Sequence, residues 1–143
     1  MTVFSAQSGT LNKVNFNKLP LEKADMRWSQ LSNIDFSGCD LRGADFTGAT
    51  LEWCNFIGAD LTGAIFKDAN MKNVLMVGAK FESGSLENAI LVKCTLVKLK
   101  ARNADLRGAD LGESDCFDAD FEGAQLEGAK TDAAFNFKPK QSG

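Results

Sequence analysis

The chain of 143 residues contains no histidine and no tyrosine. Without imidazole, mechanisms that use histidine as general base, proton shuttle or metal ligand are closed to it. A basic surface is missing as well: 16 Lys and Arg stand against 19 Asp and Glu, a formal charge of −3. A dedicated nucleic-acid binder needs cationic surface to displace counterions, so direct nucleic-acid binding is not expected. No run approaches the roughly 18 uninterrupted apolar residues of a membrane span. The start, Met1-Thr2-Val3-Phe4-Ser5, lacks a basic segment followed by an apolar run. The expectation is therefore a chain without signal peptide, residing in the cytoplasm. No CxxC, P-loop, dinucleotide fingerprint, EF-hand loop or triad signature occurs. That leaves no candidate for a catalytic, cofactor-binding or metal-ligating residue.

What the chain does have is a period of five. Stepping by five from Leu11 gives Phe16, Leu21, Met26, Leu31, Phe36, and so on without a break to Phe121 and Leu126. Of these 24 centres, 22 are Leu, Phe or Met; the other two are Ala101 and Cys116. The register ends at Thr131 and Asn136. Two residues before each centre lies a second series, mostly Ala, as at Ala24, Ala44, Ala59 and Ala104. The residue between is often Asp or Asn, and Gly is common two residues after the centre, as at Gly38, Gly43 and Gly58.

Neither common element accommodates this period. On a helix, steps of five wind the apolar series around the cylinder. On a continuous strand, odd steps send half of it to solvent. The pattern requires the chain to turn once per unit. The centre and the residue two before it then share the inner side of a short extended segment, and Gly serves the corner, where positive φ is needed. Steps of 20 align like with like: Phe16, Phe36, Phe56 and Met76 in the core, Ile57, Val77, Val97 and Phe117 outside. Steps of 15 from Ile57 reach Lys72, Glu87 and Arg102. Four sides per coil is the better fit, because identical neighbours in stacked coils pack as ladders.

Units such as Ala44-Asp45-Phe46-Thr47-Gly48, Ala59-Asp60-Leu61-Thr62-Gly63 and Ala104-Asp105-Leu106-Arg107-Gly108 resemble the pentapeptide-repeat family. The resemblance covers about residues 10–130. It implies an all-β fold, a right-handed quadrilateral β-helix with four units per coil. The chain then holds about six coils, a rod roughly 29 Å long at ~4.8 Å per coil. The expected organisation is an N-terminal cap over 1–10, the β-helix over 11–130, and a C-terminal cap and tail over 131–143. Open solenoid ends expose strand edges, so Val3 and Phe4 are candidate cap residues at one end and Ala133, Ala134, Phe135 and Phe137 at the other. The resemblance also points to a bacterial protein.

Within this frame the chemistry-bearing side chains become structural. Cys39, Cys54 and Cys94 fill the small slot before a centre and Cys116 fills a centre, so all four are expected to be inward thiols. The Asp residues fill an outward slot, where a short side chain can satisfy nearby backbone donors. Leu99 stands where Ala is expected and Ala101 at the adjoining centre, an exchange that keeps core volume. The most informative outward residues are apolar: Ile57, Val77, Val97 and Phe117 in one slot of successive coils, with Leu75 on the same wall. Such a ladder suggests a contact surface. The expected function is a non-catalytic interaction or scaffold module with an unknown protein partner, a homodimer being the simplest use of the surface. The alternative comes from the resemblance: some family members mimic DNA, bind DNA gyrase and protect it from quinolones. Mixed signs among Asp40, Arg42, Lys80 and Arg102 on one wall lend that alternative little support.

Overall fold

In the computed structural model, which describes residues 3–139, the chain winds into a four-sided β-solenoid. Expectations for Met1, Thr2 and residues 140–143 lie outside the described residues. No helix occurs among the described residues. Five short strands, β1 (Thr10–Asn12), β2 (Gln30–Ser32), β3 (Thr50–Glu52), β4 (Asn70–Lys72) and β5 (Ile90–Val92), stack in order as one parallel sheet. Their register is an offset of 20 residues, as in Leu31↔Leu51 and Leu51↔Met71. This sheet is the first face. The same offset recurs in single bridges on the second face (Asp35↔Asn55, Asn55↔Leu75), the third (Asp40↔Asp60) and the fourth (Asp25↔Asp45). The regular ladder of β1–β5 spans four turns, fewer than the six that the repeat count suggests; beyond it the coils continue through bridges alone, as far as Asp115↔Phe135.

Why these five residues make one side of a coil follows from the backbone donors. In the unit around Phe36, the centre amide donates to Asn55 O and the Gly38 amide to Ile57 O, both in the next coil. The Asp40 amide donates back to Leu19 O, and the Cys39 amide closes the turn onto Phe36 O. Only the Ser37 amide is left, and the Asp35 carboxylate accepts it at 2.8 Å. The same side-chain bond recurs at Asp40, Asn55, Asp60, Asp105 and Asp115. The slot before the centre therefore favours Asp or Asn because that side chain completes the set of satisfied amides.

The corner slot is left-handed throughout. Every residue in it from Ser8 to Gly128 has φ between 54° and 76°, whether Gly or not. Glycine marks the corner in the sequence, but the coil imposes the conformation on Lys, Asn, Asp, Ser and Trp as well, at some cost in strain.

The core is a stack of ladders. Centres are buried from Leu21 to Phe121 and pre-centre residues from Ala24 to Ser114. Phe36 and Phe56 stack at 4.9 Å on the second face, and Phe46 and Phe66 at 4.6 Å on the fourth. The two columns meet edge to face at 5.7–5.9 Å across the middle, the arrangement that ring quadrupoles favour. Leu99 and Ala101 are both fully buried, so the exchange read from the sequence is real. At the ends, Phe4 packs edge-on against Phe16, and Phe137 packs tilted at 39° against Phe121.

Candidate functional site: an apolar column

The four thiols are buried and free. Cys39 donates to Phe16 O, and Cys94 lies near Met71 O and Val92 O. Burial pushes Cys54 and Cys94 up to about 11 and Cys116 up to about 12. Protonated and enclosed, they are poor nucleophiles at neutral pH. Among the described residues, no group of three or more Cys, Asp or Glu is arranged to hold a metal ion. No helix among them is long and apolar enough to cross a membrane.

The third and fourth faces carry charge of both signs, and three Arg–Asp pairs form within a unit. Arg42 bonds Asp40 at 2.6 Å, Arg27 bonds Asp25 at 2.9 Å and Arg107 bonds Asp105 at 2.7 Å. Arg102 reaches Asp120 and Glu122 in the next coil. The Arg42 guanidinium holds the Asp40 carboxyl down at about 2, and Arg27 and Arg107 lower Asp25 and Asp105. Their folded pKa values lie below the unfolded value, so the pairs stabilise above about pH 4 and lose that effect as pH falls toward about 2. The side chains are exposed, and each pair contributes little.

The second face differs. From Asn55 through Ile57, Gly58, Leu75, Val77, Gly78 and Thr95 to Val97, its outward positions hold no ionisable group; Lys98 follows at the corner, and Asp115 and Asp118 flank Phe117 in the next coil. Ile57, Val77, Val97 and Phe117 occupy one column and Leu75 the opposite edge of the same face, as read from the sequence. Their exposure is unequal. Ile57, Leu75 and Phe117 are exposed at 40%, 37% and 56%, whereas Val77 and Val97 are half-buried. An inner rung of a ladder has neighbours about 4.8 Å above and below that cover it, which a residue's slot alone does not reveal. Beside the column the corner is bare: Gly58 and Gly78 have open space where a side chain would project. A partner surface can therefore come close to the ladder.

Sequence reasoning gave less weight to the first face, whose corners carry both tryptophans. Trp28 and Trp53 are exposed at 57% and 58%. The Trp28 ring lies over Gly48 of the next coil, where a Cβ would fall within the indole. The signal in the sequence is the pairing of a large residue with Gly 20 positions later.

Comparison with known proteins agrees with this architecture. A structure of a pentapeptide repeat protein from the Arabidopsis thaliana thylakoid lumen superposes with a TM-score of 0.66 at 29% identity, covering 68% of each chain. Rfr23, a pentapeptide repeat protein of the cyanobacterium Cyanothece 51142, gives 0.63 at 18% identity over 92% of this chain and 87% of its own. A trypsin-treated form of QnrB1, a plasmid-mediated fluoroquinolone resistance protein, gives 0.59 at 19% identity over 94% and 79%. No curated protein matches the chain. The family described as Pentapeptide repeats matches in eight copies, over residues 21–56, 44–83, 54–92, 75–112 and 89–130. With that match spanning most of its length and the 20-residue coil present throughout, the chain belongs to the pentapeptide-repeat family.

Proposed function

We propose that this protein is a non-catalytic, cytoplasmic interaction module whose contact surface is the second face, with Ile57, Leu75, Val77, Val97 and Phe117 as its apolar contacts. One observation carries the reading: an uncharged, apolar column runs through four coils of a rod whose third and fourth faces are charged. Stacked about 4.8 Å apart, the column spans roughly 14 Å, a strip rather than scattered residues. A second copy of the chain is the partner that fits best. A twofold axis lying across the face between the Val77 and Val97 levels keeps the column opposite itself, with Val77 facing Val97 and Ile57 facing Phe117 of the other copy. This packing is antiparallel and closes on itself.

A DNA-mimic reading requires a continuous anionic face. Here Arg27, Arg42 and Arg107 interrupt each run of carboxylates and pair with them. QnrB1, at 19% identity, shares the fold, and fold alone does not carry function. Sedimentation across a range of concentrations tests the proposal. The expected result is a reversible dimer that Ile57→Lys with Phe117→Lys converts to a folded monomer, while gyrase incubated with the protein stays sensitive to a fluoroquinolone. A wild-type monomer at all concentrations with no protein partner lost in the variant overturns it. Protection of gyrase favours the mimic.

A further inference from the structure

We infer that the first face carries a binding site for a short, neutral oligosaccharide, bracketed by Trp28 and Trp53. The site is independent of the apolar second face. These are the only two tryptophans in the chain, and both stand at corners that bound this one face. The Trp28 indole lies over Gly48, two residues before β3 begins, and Trp53 follows β3 directly. The rings thus flank the β3 level across roughly 10 Å, the width of three strand residues. Alongside lies a shallow trough of about 250 Å³ across β1, β2 and β3. It is lined by Leu11 and Leu31 at its floor and by Thr10, Asn12, Gln30, Ser32, Thr50 and Glu52, with the two indoles outside its lining. Five of the six polar ones carry uncharged hydroxyls or amides.

Three features point to the ligand class. First, the indoles are large apolar groups held at exposed corners. Each sits in the left-handed region, at φ 61° and 58°, where a bulky side chain is disfavoured, and each leaves over half its surface in water. Second, Trp28 lies against the corner glycine of the next coil and is still 57% exposed, which suits a stacking platform. The C–H face of a pyranose carries partial positive charge and complements the negative face of an aromatic ring. Third, the trough between offers Ser, Thr, Asn and Gln groups that both donate and accept, as sugar hydroxyls require. Apart from the single carboxylate of Glu52 it is neutral, which suits a neutral ligand better than a cationic or anionic one.

The composition supplies the assay. With no tyrosine in the chain and both tryptophans at this site, intrinsic fluorescence reports on nothing else. Full-length protein is titrated with tetrasaccharides of β-1,4-linked glucose, N-acetylglucosamine and xylose, and of α-1,4-linked glucose. The expected result is a saturable shift of emission with at least one of them. Trp53→Asn, which places the residue found at Asn33 and Asn73 of the same column, should weaken that affinity roughly tenfold with an unchanged circular dichroism spectrum. Trp28→Gly should weaken it independently. Emission that none of the four sugars moves at millimolar concentration overturns the site, as does an affinity that neither single substitution weakens. A response to cationic peptide but to no sugar also overturns it, in favour of a protein contact.

Discussion

At the scale of single residues, each slot of the unit has a separate physical task, and departures are compensated locally. Gly84 occupies a slot where Ala is usual, and its φ is not in the left-handed region. Its neighbour explains it: the Phe81 ring fills the space that an alanine methyl would take. Phe81 in turn stands in a column whose lower rungs are Leu41 and Leu61. Gly84→Ala, although it restores the common residue, should therefore destabilise the protein by about 1–3 kcal/mol through overpacking. Phe81→Leu alone should also destabilise, and the pair together should recover most of the loss. Denaturant midpoints of the four proteins measure the coupling; additive losses would show that the ring and the glycine are unrelated. Inward thiols and turn-capping carboxylates were legible in the sequence, because slot identity determines burial. The left-handed corners at Trp28 and Lys18 were not, since only glycine announces that conformation. The partial cover over Val77 and Val97 was hidden too, because it depends on neighbours 20 residues away on either side.

At the scale of the coil, stability comes from stacking, since each side of three to five residues has no separate core. The 20-residue register could be read from the recurrence of Phe16, Phe36 and Phe56, because rings stack best on rings. The extent of regular strand could not. The sheet stops at β5, and the next side on that face, with Gly112 after its centre, continues as a single bridge from Ile90 to Asp110. The exchange of Leu99 and Ala101 tests how closely one coil is fitted to the next. Leu99→Ala should leave a cavity and cost about 2–5 kcal/mol. Ala101→Leu should overpack and cost about 1–3 kcal/mol. Leu99→Ala with Ala101→Leu restores the common order, and by thermal unfolding it should cost clearly less than the two singles combined. A double variant as unstable as their sum would mean that the two positions do not share one space.

At the scale of the whole molecule, the rod is electrically polar. Residues 8–27 hold four bases and two acids, whereas residues 110–129 hold seven acids and no base. A parallel pair would bring acidic end beside acidic end. The antiparallel register proposed for the second face is set by the apolar column instead: it places residues 110–129 of one copy level with residues 45–64 of the other, and residues 8–27 extend beyond the partner's last coil. In that register Ile57 of one copy faces Phe117 of its partner, twice per dimer. The most direct test introduces charge at that pairing and follows mass by sedimentation equilibrium at low salt. Ile57→Lys with Phe117→Lys places like charges opposite and should give a monomer. Ile57→Lys with Phe117→Glu places opposite charges together and should restore the dimer, in a form that salt dissociates. A monomer in both cases, from folded protein, or a dimer in both, contradicts the antiparallel second-face contact.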